Sequence, residues 1–190
     1  MSQYPKRAWL ECAPVVDFFI RELAPACEVI SVGGSYRREK PLVGDLEIVF
    51  VPKFVSEPDG LFDAIRVSLA DKMIESWLAT GVIKKRLAAT SRFSSWGPLN
   101  KHAHHVVSGI GVDFFAEPDI RDWGRTLAVR TGPAEFNMRL MATAPRHGLN
   151  AHAYGPALDR IGNGERVFAA TEREFIELCG LPYQEPKDRR

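Results

Sequence analysis

The segment Asp45-Leu46-Glu47-Ile48-Val49-Phe50-Val51 sets two acids at the head of an apolar, β-branched run, and few folds accommodate that pattern. The run reads as a half-buried strand over Leu46–Val51. Residues two apart on a strand point the same way, so Asp45 and Glu47 share a face, about 6–7 Å apart at the backbone. Neighbouring carboxylates pack poorly and repel each other. A divalent cation between them removes the conflict, and hard oxygen ligands suit Mg²⁺. A third acid, Asp113, interrupts the apolar strand Val112-Asp113-Phe114-Phe115. A carboxylate there is costly unless it is paired or bound to metal.

Around this motif the chain reads as α+β, because strands and helices mix without regular βαβ alternation. Apolar spacing predicts a helix over Trp9–Leu23 and a short strand at Val29–Val32. It predicts a second helix capped by Asp59 or Gly60 and running to Thr80, with Leu61, Ile65, Leu69 and Trp77 on one face. Strands are expected at His105–Val107 and Val112–Phe115, joined by Ser108-Gly109-Ile110-Gly111. The pattern changes near Asp122-Trp123-Gly124, dividing the chain into a larger lobe, 1–124, and a smaller one, 125–190. The second lobe should hold a helix over Pro133–His147 stopped by Gly148 and a hairpin at Gly162-Asn163-Gly164. A capping box, Thr171-Glu172-Arg173-Glu174, should open a last helix.

No apolar run approaches the length of a membrane span, and the N-terminus lacks an apolar signal core, so a soluble intracellular protein is expected. The three cysteines form no CxxC pair and read as inert buried thiols in a reducing compartment. Net charge is only +1, yet no Asp or Glu lies between Ser76 and Val112, where Lys84, Lys85, Arg86, Arg92 and Lys101 fall. Such a run is either a solvated face or a surface that follows a phosphate backbone. His102, His104 and His105 lie in the same stretch without further ligands at metal spacing, and read as contacts along that surface or a solvated loop.

Ahead of the acids, Gly33-Gly34-Ser35 leaves backbone N–H groups free to approach phosphate oxygens, and Arg37-Arg38 adds cations suited to phosphate. The order Gly34-Ser35-Tyr36-Arg37-Arg38, then Gly44-Asp45-Leu46-Glu47, resembles the nucleotidyltransferase superfamily and within it the family X DNA polymerases. The resemblance continues through Thr131-Gly132-Pro133-Ala134-Glu135-Phe136-Asn137, His147-Gly148-Leu149 and the closing Tyr183-Gln184-Glu185-Pro186-Lys187-Asp188-Arg189.

That resemblance implies a nucleotidyltransferase palm, with a mixed sheet and flanking helices, plus a small C-terminal α/β thumb. It implies that Asp45, Glu47 and Asp113 hold two Mg²⁺ ions, with Mn²⁺ able to substitute. Gly34, Ser35, Arg38 and the Gly44 amide would grip the triphosphate, and Val129, Arg130, Thr131, Gly132 and Asn137 would line the nucleotide. The basic run Lys84, Lys85, Arg86, Arg92 and Lys101 becomes a primer-template track. The implied reaction is transfer of a nucleotide from a dNTP to a primer 3′-hydroxyl, filling gaps in DNA as a monomer. Three residue features depart from the family: Glu47 replaces an aspartate, Val129-Arg130 replaces residues that select the sugar, and Met141, with Arg139 nearby, replaces the thumb arginine that probes the template. About 30 residues precede the Gly-Ser turn, so a minimal palm-plus-thumb chain of the viral type is expected. The alternatives are a template-independent or ribonucleotide-tolerant terminal transferase and a catalytically inactive DNA-binding relative.

Overall fold

A computed structural model describes residues 5–59, 63–86, 95–155 and 157–189. Strand β1 (Arg7–Ala8) leads into helix α1 (Trp9–Leu23), which buries Cys12, Val15, Val16, Phe19 and Leu23 along one stripe. Strand β2 (Cys27–Val32), one helical turn α2 (Gly34–Arg37), β3 (Leu42–Val43) and β4 (Asp45–Pro52) follow. A hairpin of β5 (Phe54–Asp59) and β6 (Asp63–Ser68) then precedes helix α3 (Leu69–Ala79). Beyond it run β7 (Ile83–Lys85), β8 (Asn100–His105), β9 (Gly111–Ala116), and helices α4 (Trp123–Thr131) and α5 (Ala134–Thr143). The chain closes with β10 (Leu149–Ala151), β11 (Leu158–Arg160), β12 (Arg166–Val167) and α6 (Glu172–Leu178).

A five-stranded sheet in the order β2-β4-β9-β8-β7 organises the first lobe. It is mixed: β4 and β9 run parallel at its centre, and the other neighbours are antiparallel. Leu46, Ile48 and Phe50 of β4, with Val112 and Phe114 of β9, face α1 and α3 in the main core. There Phe19 meets Trp77 and Phe114 edge-on, with ring centroids 5.1 and 5.5 Å apart. The opposite face carries Val49, Val51 and Phe115 against Trp123 and Leu127 of α4. Strand β4 is therefore covered on both faces over most of its length, where the sequence predicts half burial. The reason is that α4 crosses the sheet from the other side. A third cluster, with Phe136, Leu140, Phe175 and Ile176, holds the second lobe together.

Two expected boundaries move. The helix expected up to Thr80 begins at Leu69, where the Ser68 hydroxyl accepts from the Asp71 amide. Upstream of Ser68, alternating Ile65 and Val67 pair across to Glu57 and Val55 as a strand. Gly60 and Leu61 lie outside the described residues. The strand expected at His105–Val107 ends at His105, leaving Val107 90% exposed in the turn. Ser108 closes that turn, its hydroxyl 2.9 Å from His105 Nδ1. The second-lobe helix keeps its expected span but tightens to a 3₁₀ turn over Ala144–His147 before Gly148, which is left-handed at φ +75°. Half of the capping box forms: the Thr171 hydroxyl accepts from the Glu174 amide, while the Glu174 carboxylate accepts from the Ala170 amide rather than from Thr171. The three cysteines are free and buried, and burial pushes the Cys27 and Cys179 thiols up to about 12. No helix among the described residues is long and apolar enough to cross a membrane.

The two lobes are tied by buried charge. Glu172 of α6 accepts from Arg37 of α2 at 2.7 and 2.8 Å and from Arg189 at 2.8 Å. Arg189 is wholly buried, and hydrogen bonds from both arginines hold the Glu172 carboxyl below its ordinary range despite burial. Replacing Glu172 by Ala strands two cations, so urea unfolding should show a loss of about 3–5 kcal/mol, with Glu172→Asp retaining part of it.

Candidate active site

The parallel register of the central strands assembles the acids. Glu47 lies opposite Asp113, and Asp45 sits two residues earlier on the same face of β4. All three carboxylates thus rise from the sheet face that α4 covers beyond them. Asp113 is 6% exposed. Burial pushes Glu47 up to about 8, with Asp45 repelling and Arg130 partly offsetting. Burial likewise pushes Asp113 up to about 7, against the pull of Arg86 and with Asp45 adding repulsion. Burial therefore disfavours the charged form of both acids more than the neighbouring arginines restore it.

The Gly33-Gly34 turn is wedged between two walls. A Cβ at Gly33 would lie 2.9 Å from the Arg130 carbonyl oxygen. Gly34 has φ +62°, and a Cβ there would meet Glu47 Oε1 at 2.8 Å. The Gly33 amide also donates to the Glu47 carbonyl at 2.7 Å. Trp9 braces the turn from below, stacked on Tyr36 at 4.7 Å and donating to its carbonyl at 2.9 Å.

Arg38 reaches the far end of α4, where it donates to the Thr131 carbonyl. Its Nε is buried without a hydrogen-bond partner among the described residues. Asn137 Nδ2 donates to the Val129 carbonyl at 2.8 Å, while its buried Oδ1 has no such partner. Gly34 thus lies against Glu47, and Arg38 links this turn to Thr131, while a Cβ at Gly132 would fall 3.2 Å from Arg38 Nη1 and 4.0 Å from Asn137 Nδ2. Ser35 stands next to Gly34 on α2, and Gly44 immediately precedes Asp45. Arg130 lies back on the Phe115 ring, 3.7 Å from its centroid, with Nη2 3.3 Å from Asn100 Oδ1. Arg37, grouped with Arg38 by sequence as a phosphate ligand, is committed to Glu172 and to the Thr131 hydroxyl at 2.6 Å.

The basic run does not form one track. Strand alternation puts Lys84 and Arg86 on the acid face and Lys85 on the other, where its Nζ lies 4.7 Å from the Trp96 ring centroid. Lys101, opposite Phe114, also points to the core side, where at 5% exposure it pairs with Asp71 at 2.7 Å. The Arg86 guanidinium contacts both oxygens of Asp113, at 2.6 and 2.5 Å, rather than facing solvent. Arg92 lies outside the described residues. Sequence reasoning also missed Glu117, which accepts from Arg125 and Thr126 at 2.8 and 2.5 Å and ties β9 to α4. Its one trace is an acid directly after the apolar strand.

Residues 3–114 match the family described as DNA polymerase beta palm, and residues 126–190 match DNA polymerase beta thumb. The chain belongs to the family X DNA polymerases. That family is a class of nucleotidyltransferase enzymes, and the mixed sheet with its flanking helices and small second lobe is its palm-and-thumb fold. The chain is 29% identical over 208 residues to DNA polymerase lambda of Rattus norvegicus. The match covers all of this chain and 33% of that protein, so the chain spans about a third of its relative's length.

The donor set suits a hard divalent cation: three carboxylates on one face, two of them pushed up by burial, with a guanidinium already drawn between Asp45 and Asp113. Among the described residues no three His, Cys, Asp or Glu side chains close around one point, and the Arg86 guanidinium lies between Asp45 and Asp113.

The wedge at Gly34 is open to test beside Gly148, which has a similar φ, +75°, but nothing within 4 Å of an added Cβ. Gly148→Ala should cost only the left-handed backbone penalty, roughly 1–2 kcal/mol. Gly34→Ala should cost about 1–3 kcal/mol more, because Glu47 must move. Equal shifts in denaturant midpoint would remove the contact from the account.

Proposed function

We propose that this chain transfers a nucleotide from a dNTP to a DNA primer 3′-hydroxyl with release of pyrophosphate, in a palm over 1–124 and a thumb over 125–190. The observation that carries the reading is the acid face: Asp45, Glu47 and the buried Asp113 on one side of the paired strands β4 and β9, beside a glycine turn that admits no side chain. A catalytically inactive relative would carry the cost of burying these carboxylates with nothing gained.

Asp45, Glu47 and Asp113 would hold two Mg²⁺ ions, or Mn²⁺ in their place, with Asp113 nearest the primer terminus. Bound there, the ions supply positive charge for the attacking oxyanion and the leaving pyrophosphate. Gly34, Ser35, Arg38 and the Gly44 amide cradle the triphosphate, and the unpartnered Nε of Arg38 supports this role. The buried, unpartnered Oδ1 of Asn137 supports a contact to the nucleotide's base or sugar edge. The protein acts by positioning and charge, without a covalent intermediate. Filling short gaps in duplex DNA is the biological use that fits this chemistry.

The test is primer extension with each nucleotide singly, with and without template. Asp45→Ala and Asp113→Ala should each lower the rate by about three orders of magnitude or more, about 4 kcal/mol in barrier, while leaving the fold intact. Activity within about tenfold of wild type in either variant would remove the acids from the chemistry. Addition without template, or equal use of ribonucleotides, would turn the reading toward a terminal transferase.

DNA affinity provides a separate check. Because Lys84 shares the acid face, Lys84→Ala should flatten the slope of log affinity against log salt by about 0.9 per lost phosphate contact. Lys101→Met, by contrast, should lower thermal stability and leave that slope unchanged.

A further inference from the structure

Arg86 gives the acid face a feature that phosphate transfer does not require. Its Nη2 lies 2.6 and 2.5 Å from the two oxygens of Asp113, and its Nη1 lies 3.5 Å from an oxygen of Asp45. The side chain is 11% exposed, so the pairing is largely desolvated. His102, on the neighbouring strand, has Nδ1 3.4 Å from the same guanidinium. A guanidinium spanning carboxylates on two strands does electrostatically what a divalent cation would do there. Both cannot use the same oxygens at once.

We propose that Arg86 is a built-in competitor for the divalent cation: it holds Asp45 and Asp113 in the metal-free protein and must release both before an ion loads. The proposal rests on the reading of these acids as metal ligands. Position makes the release local. Arg86 directly follows β7, the last strand of the sheet, so its side chain can swing away without disturbing a central pairing. The acids are meanwhile spared their mutual repulsion. A nucleotide triphosphate offers the departing guanidinium another anion, which couples nucleotide binding to metal loading.

The experiment measures Mn²⁺ binding by the resonance signal of the free ion, without nucleotide, for wild type, Arg86→Ala, Arg86→Gln, Arg86→Lys and Asp113→Asn. Circular dichroism confirms that each is folded. Arg86→Ala and Arg86→Gln should bind Mn²⁺ at least about tenfold more tightly than wild type, about 1.4 kcal/mol. Arg86→Lys, which keeps the charge but loses the fork, should fall between. Adding a non-hydrolysable dNTP should tighten Mn²⁺ binding more in wild type than in Arg86→Ala. Equal or weaker binding in both neutral variants, with Asp113→Asn abolishing it, would overturn the role of Arg86 and leave the metal ligands standing. Binding indifferent to Asp113→Asn, or absent in every form, would overturn the metal reading and the competitor with it.

Discussion

Burial of like charge on one sheet face is the constraint around which this molecule is arranged. Parallel pairing of β4 and β9 puts Glu47 beside Asp113, and period two adds Asp45 to the same side. The Glu47 carboxyl lies against the glycine turn, and Asp113 is buried. What remains is compensation by cations: Arg86 on two of the acids, with Arg130 close enough to draw down Glu47 and Asp113. Gly34 has no side chain because the Glu47 carboxyl occupies that space.

The second constraint concerns how the turn and the second lobe are held in one geometry. Arg37 and Arg38 are adjacent in sequence but divide their work. Arg37 reaches Glu172 and the Thr131 hydroxyl, while Arg38 reaches the Thr131 carbonyl. Both ends of the palm–thumb junction thus hang from α2. The apolar cluster of Val49, Val51, Phe115, Trp123 and Leu127 fills the space between the sheet and α4. Packing there, with the bonds made by Arg37 and Arg38, ties Gly132 and Asn137 to the glycine turn.

The acid triad was legible in the sequence because its signal is local: charged residues inside apolar strands, at a spacing that strand geometry interprets. Helix α1, the Gly162–Gly164 hairpin and the Thr171 cap were legible for the same reason. What the sequence concealed depends on pairing partners. Lys84, Lys85, Arg86 and Lys101 looked like one patch, but strand register divides them between two faces, and only neighbours on β8 and β9 reveal which is which. Ile65 and Val67 fit a helical stripe until β5 supplies a partner. Glu172 carried no signal of its buried pairing with Arg37, since that pairing spans far more chain than any local pattern does.

That separation has a consequence for how the molecule is made. Arg37 and Glu172 lie 135 residues apart, so the counter-ion of Arg37 is synthesised long after the glycine turn that precedes it. Closing so long a loop costs entropy that local contacts do not repay, which places this bridge among the last native interactions to form. The central sheet can condense early around Phe19 and Phe114. Alignment of its acid face with the second lobe is completed only when α6 arrives, so a nascent chain acquires its core before it acquires that alignment.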